Sequence, residues 1–168
     1  ALRQKVALGG MLMPMAVARD GRHLHVARRS EPLAVLTLAI DAGTGLLARV
    51  GEAPLPHSMA YLSTDASGHY LFSASYGGHQ IAVSPIGDDG LPRAATQVLP
   101  TGENAHCIVQ APSNGHVYST CLGGATVLWV YGVSFYCEGW QAAMFIWAAA
   151  LLIDASRGSS RAPIEVTG

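Results

Sequence analysis

An all-β fold built from repeated four-stranded units is predicted by three observations. Asp20 to Ala27, Ser67 to Ala74 and Asn114 to Cys121 are similar segments spaced 47 residues apart. Each opens on Asp, Ser or Asn followed by glycine, a pair that favours a tight hairpin turn. Each then alternates apolar and polar residues, the period of a half-buried strand rather than of a helix. A turn and strand recurring at a constant period in the forties is the signature of β-propeller blades.

The first unit spans Pro14 to Pro54. Met15 to Arg19 is a short strand, Asp20 and Gly21 the turn, and His23 to Ala27 the second strand. Arg28 to Pro32 connects to a long β-prone run, Leu33 to Ile40. The glycine-rich turn Asp41 to Gly45 leads to a fourth strand, Leu46 to Val50. In the second unit, Met59 to Ser63, Tyr70 to Ser75, Gln80 to Ile86 and Leu91 to Leu99 are the strands. Pro92 near the start of the last one suits an outer edge, where a missing N–H costs little. The third unit offers Cys107 to Ala111, Val117 to Cys121 and Val127 to Tyr131, with Pro112 to Gly115 and Leu122 to Gly124 between them.

There the repeat stops. Gly132 to Ile153 carries one charge, Glu138, and is rich in alanine, leucine and aromatic residues. Good helix formers within it predict an apolar helix. Three readings stay open: a packed helix, a divergent or frame-shifted end foreign to the repeat, or a membrane anchor approaching the required span. From Asp154 the chain is rich in Ser, Arg and Gly and reads as a disordered tail. The expected organisation is thus 1–131 as a partial propeller, 132–153 as the apolar segment and 154–168 as the tail.

Composition narrows the function. Half of the 168 residues are hydrophobic, 12% are charged and the net charge is −1. Nucleic acid and acidic membrane surfaces therefore have no electrostatic handle. Cys107, Cys121 and Cys137 form no paired metal spacing, and an odd count does not close a disulfide framework. A reducing cytoplasm is the expected location, and the first ten residues lack the apolar core of a signal peptide. The seven histidines include no helical i, i+4 pair with a carboxylate, so no catalytic metal and no cofactor are expected. Gly43 to Gly45 and Gly123 with Gly124 lack the partners of a phosphate loop or dinucleotide fold.

Three stretches carry a family resemblance: Pro14 to Ala27, Tyr61 to Tyr76, and Gly102 to His106 with Pro112 to Gly115. They resemble the propeller-type 6-phosphogluconolactonases, in the lactonase family that also holds the fungal carboxymuconate cycloisomerase. The resemblance implies a seven-bladed propeller of which Gly10 to Tyr131 supplies about blades 2–4. The expected fold is therefore a fragment of about three blades with an apolar helical tail. Exposed blade edges would then invite self-association.

The resemblance also implies chemistry: hydrolysis of a sugar-phosphate lactone in the oxidative pentose phosphate route, without a cofactor. Lactone opening needs an activated water, and a histidine suits that task. His106 holds the position of the family's histidine at the start of an inner strand and is the expected catalytic base. Arg28 and Arg29 occupy a loop where family members carry an arginine, and a guanidinium matches a phosphate. Only one is expected to point inward. Tyr76 lies one repeat after Arg29 and could bond a sugar hydroxyl. His57 precedes the second unit's first strand much as His106 precedes the third's. Asn104 could position the lactone, although capping the turn is its more ordinary role. A truncated form, weakly active or inactive, is the leading expectation. A non-catalytic binding propeller and a membrane-tethered remnant are the alternatives.

Overall fold

The computed structural model describes residues 2–112, 115–123, 128–134 and 145–150. Among them, strands form three four-stranded antiparallel sheets, each a simple up-and-down meander. The first sheet is β1 (Leu12–Val17), β2 (His23–Arg28), β3 (Ala34–Ile40) and β4 (Leu47–Pro54). The second is β5 (Tyr61–Thr64), β6 (Tyr70–Ser75), β7 (Gln80–Pro85) and β8 (Gln97–Pro100). The third is β9 (Ala105–Gln110), β10 (Val117–Cys121), β11 (Leu128–Ser134) and β12 (Phe145–Ala150). The repeat read from the sequence is therefore one sheet per unit. The glycine that marks each repeat, Gly21, Gly68 and Gly115, has a φ of 68°, 79° and 68°. That left-handed conformation strains any side chain, which is why glycine recurs there.

Strand ends differ from the sequence reading in informative places. β1 begins at Leu12 and β9 at Ala105, earlier than alternation suggests, because each carries an extra residue near its start. Ala105 faces Cys121 and Cys107 faces Thr120, so two steps on β9 match one on β10. Leu12 faces Arg28 and Met15 faces Val26, the same excess on β1. Such a bulge breaks the regular alternation and turns a side chain out of register. β8 is shorter than its apolar run, and Pro92 makes only an isolated bridge with Ile86.

The apolar helix expected across 132–153 is not what the described residues there form. Residues 132–134 end β11, and Phe145–Ala150 is β12, paired antiparallel to β11 from Ser134 with Phe145 to Trp129 with Ala150. Pairing with an open edge of the third sheet prevails over the helix propensity of the alanines. The rest of that segment, and the tail 154–168, lie outside the described residues. No helix among the described residues is long and apolar enough to cross a membrane.

The sheets stack through two apolar layers. Ala27, Val35, Met59, Leu62, Leu71 and Ala82 fill the layer between the first and second sheets. Phe72, Ala74, Ile81, Val83, Ile108 and Val117 fill that between the second and third. Strand alternation divides the second sheet between them: Leu71 turns to one side, Phe72 and Ala74 to the other. Hydrogen bonds also join the sheets. Ser63 Oγ donates to the Ile108 carbonyl at 2.6 Å, and the Ala66 N–H donates to Gln110 Oε1 at 2.6 Å.

β1 packs on β5 and β5 on β9, so the first strand of every sheet lies along one inner edge. This defines two ends. At one, which we term the mouth, the starts of β1, β5 and β9 meet the β2–β3 and β6–β7 loops. At the other lie the hairpin turns at Gly21, Gly68 and Gly115.

Candidate functional site

Most candidate residues converge on the mouth. β2 ends at Arg28, which delivers Arg29 to the rim. The Arg29 Nε–H donates to Ser58 Oγ at 3.0 Å, in the connection leading to β5. Both Nη groups are without a protein partner among the described residues. The next residue back, His57, places Nδ1 2.8 Å from Ser75 Oγ at the end of β6. Ser75 is fully buried. It also lies 2.8 Å from the Ser58 carbonyl and accepts the Gly78 N–H at 3.0 Å. Arg29, His57, Ser58 and Ser75 are thus one hydrogen-bonded group spanning two sheets.

Tyr76 follows Ser75 directly and reaches toward the third sheet. Its ring meets that of His106 edge-on, with centroids 6.1 Å apart and planes at 85°. His106 is exposed because it is the extra residue of the β9 bulge: Ala105 before it is fully buried, and Cys107 after it is half-buried. Among the described residues no hydrogen bond fixes its ring. Asn104, just before, has a φ of 61°, and His79 across from it a φ of 51°. Asparagine and histidine are among the residues that accept this region best. The Asn104 N–H donates to His79 Nδ1 at 2.9 Å, and its carbonyl accepts the Leu122 N–H at 3.0 Å. Asn104 therefore shapes the turn that leads into His106.

Arg28 is not brought to this group. Its Nε–H donates to the Pro32 carbonyl at 2.8 Å, and Nη2 pairs with Glu52 of β4 at 3.2 Å. Glu52 also bonds Arg49. Of the two adjacent arginines, one is held against the outer strand and one faces the mouth.

Sequence reasoning did not single out Ser58, Ser75 or His79. Ser75 stands beside Tyr76 in a segment that carried the resemblance, so a signal existed. His79 gave none, because its contact with Asn104 joins two loops 25 residues apart.

Electrostatics set the interior apart from the mouth. His25 on β2 is fully buried, and Nδ1 lies 3.1 Å from Thr37 Oγ1 while Nε2 has no hydrogen-bond partner among the described residues. Burial, helped by His23, holds its pKa down at about 4; Asp20 opposes this only in part. Surface hollows lie away from the mouth, among them one of about 650 Å³ along Asp65, Ser67, His69, Tyr70 and Gln110. One of about 470 Å³ opens between the turns, lined by residues including Asp20, His23, Ser67 and Asp89. Another of about 360 Å³ runs between residues 3–8 and the first sheet, along Leu12, Leu24 and Leu38. None of these hollows is lined by Arg29, His57, Tyr76 or His106. Among the described residues no cluster of three His, Cys, Asp or Glu side chains could hold a metal ion.

Residues 1–134 match the family model described as Lactonase, 7-bladed beta-propeller. The 6-phosphogluconolactonase of Pectobacterium carotovorum subsp. carotovorum (strain PC1) is 42% identical over 121 residues, covering 72% of this chain and 36% of that protein. That of Serratia proteamaculans (strain 568) is 40% identical over 121 residues, with the same coverage of 72% and 36%. The chain thus spans little more than a third of the length of these relatives. Among solved structures, the periplasmic gluconolactonase PpgL of Pseudomonas aeruginosa superposes with a TM-score of 0.62 at 23% identity, over 71% of this chain and 38% of that one. A putative 6-phosphogluconolactonase from Bacteroides uniformis ATCC 8492 gives 0.66 at 19% identity, over 82% and 43%. These two likenesses concern the fold. With three consecutive four-stranded sheets sharing an inner edge and a family match over most of its length, the chain belongs to the seven-bladed β-propeller lactonases.

Proposed function

We propose that the chain is part of a hydrolase that opens 6-phosphoglucono-δ-lactone to 6-phosphogluconate. The observation that supports this reading most is the meeting of Arg29, His57, Tyr76 and His106 at one end of three sheets. His106, exposed on its bulge, takes a proton from water as the oxygen attacks the lactone carbonyl. The ring C–O bond then breaks, the ring oxygen takes the proton back from His106 to become a free hydroxyl, and the new carboxylic acid releases its own proton to solvent. The unpaired Nη groups of Arg29 suit the phosphate. Tyr76 and His57 bond ring hydroxyls, and Asn104 holds the turn beneath His106. Arg28, engaged by Glu52, serves the fold in this scheme. The free thiols of Cys107 and Cys121 support a reducing, cytoplasmic setting.

A ring-shaped site draws groups from several sides, and three sheets furnish one. Weak turnover by this chain alone is therefore expected. Acid release from the lactone, followed in a weakly buffered indicator assay, should fall roughly 10²–10⁴-fold on His106→Ala. Undiminished hydrolysis by that variant would overturn the assignment. One observation favours a second reading, a binding module without turnover: no hydrogen bond orients the His106 ring among the described residues. Lactone binding without acid release, unchanged by His106→Ala, would select it.

A further inference from the structure

We propose that His57 presents a fixed hydrogen-bond acceptor, Nε2, to a hydroxyl of the bound ring, and so selects polyhydroxylated lactones over bare ones. The argument is a count of protons on Ser75. Three polar atoms surround Ser75 Oγ: the Ser58 carbonyl at 2.8 Å, the Gly78 nitrogen at 3.0 Å and His57 Nδ1 at 2.8 Å. A hydroxyl has one proton to give and two lone pairs to fill. The Ser58 carbonyl can only accept, so it takes the proton. The Gly78 N–H can only donate, so it fills one lone pair. His57 Nδ1 must fill the other as a donor. The neutral ring therefore carries its hydrogen on Nδ1 and its lone pair on Nε2.

The ring is also held in place. A Cβ at position 78 would come within 2.9 Å of His57 Cγ and 2.8 Å of Ser75 Oγ, so the ring packs directly on the Gly78 backbone. Nε2 has no protein partner among the described residues, and His57 is half-buried between Ser58, which Arg29 bonds, and Ser75, which precedes Tyr76. An oriented acceptor with no donor of its own suits a ligand hydroxyl, and a site built to bond a hydroxyl discriminates against the analogue that lacks it. The donor and acceptor assignment stands on the Ser75 contacts alone. The ligand class rests on the function proposed above.

The test separates the two. In the chain labelled with ¹⁵N-histidine, long-range ¹H–¹⁵N spectra at neutral pH should show His57 protonated on Nδ1, and Ser75→Ala should shift it toward protonation on Nε2. A proton on Nε2 in the unsubstituted chain would overturn the proposal. D-glucono-δ-lactam and δ-valerolactam then serve as stable ring probes. The hydroxylated lactam should move the Nε2 resonance and bind roughly tenfold more tightly than the bare one. His57→Phe, which keeps a flat ring without the acceptor, should abolish that preference. A preference retained in His57→Phe would sink this inference and leave the lactonase reading standing. No binding of the hydroxylated lactam to a chain with the correct tautomer would sink both. His57→Gln, which restores an acceptor, should recover part of the preference; if it does not while His57→Phe folds normally, the acceptor role is refuted.

Discussion

The two ends of the sheets use similar residues to opposite effect. At the turn end, polar side chains close on themselves. Asp65 is buried, accepts the N–H groups of Ser67 and Tyr70 at 3.0 and 2.8 Å, and also bonds the Ser67 hydroxyl. Asp20 likewise holds the Arg22 N–H at 2.7 Å and His23 at 2.8 Å. At the mouth, polar side chains are oriented from behind and left open in front: Arg29 by Ser58, His57 by Ser75, the turn before His106 by His79. Satisfied groups contribute stability, whereas groups left with spare donors and acceptors are available to a ligand. Histidine shows the contrast most sharply. His25, fully buried on β2, is closed off from any ligand although its Nε2 has no hydrogen-bond partner among the described residues, while His57 and His106 are accessible.

The largest expected effect would expose that contrast by acid. His25 has a folded-state pKa of about 4, below its unfolded value near 6.5. Above pH 6.5 both states are neutral there and the group adds no pH dependence. As pH falls from about 6.5 to about 4 the unfolded chain gains a proton that the folded chain refuses, so stability drops by on the order of 3 kcal/mol. Urea unfolding at pH 7, 5.5 and 4 should show this slope, and His25→Gln should remove it. A slope unchanged in the variant would mean that acid acts elsewhere, the mouth histidines included.

A smaller effect is expected at Asp65. Asp65→Ala strands buried donors in its turn and should cost about 2 kcal/mol, with binding of the hydroxylated lactam unchanged. A loss of binding at equal stability would erase the division between the ends. The smallest concerns Asn104. Asn104→Ala at a φ of 61° should lower stability by about 1 kcal/mol, and Asn104→Gly should be close to neutral. If alanine is tolerated like glycine, the turn does not depend on that conformation.

Much of this was legible in the residues. The 47-residue spacing of Gly21, Gly68 and Gly115 fixed the strands on either side of each turn, because a left-handed turn and period-2 burial are local demands. The same offset linked Arg29 with Tyr76, which do share the mouth. Three things were not legible. β1 and β9 begin earlier than their alternation predicts, because a bulge disturbs the pattern that locates strands. The alanines at 148–150 predict helix, whereas Phe145, Ile146 and Trp147 also favour strands and pairing with β11 decides the matter. The Ser75 contacts depend on two connections and a strand end meeting in space, which no spacing encodes.

The doubled step at Ala105 and His106 makes chain length, rather than residue type, the guardian of this position. Any side chain at 106 inherits the outward aim, so the chemistry there can be exchanged by a point substitution. Removing one residue would let β9 zip evenly against β10 and swing the imidazole toward the packed layer. A substitution at 106 thus changes the chemistry at the mouth, whereas a deletion there changes which way the side chain points.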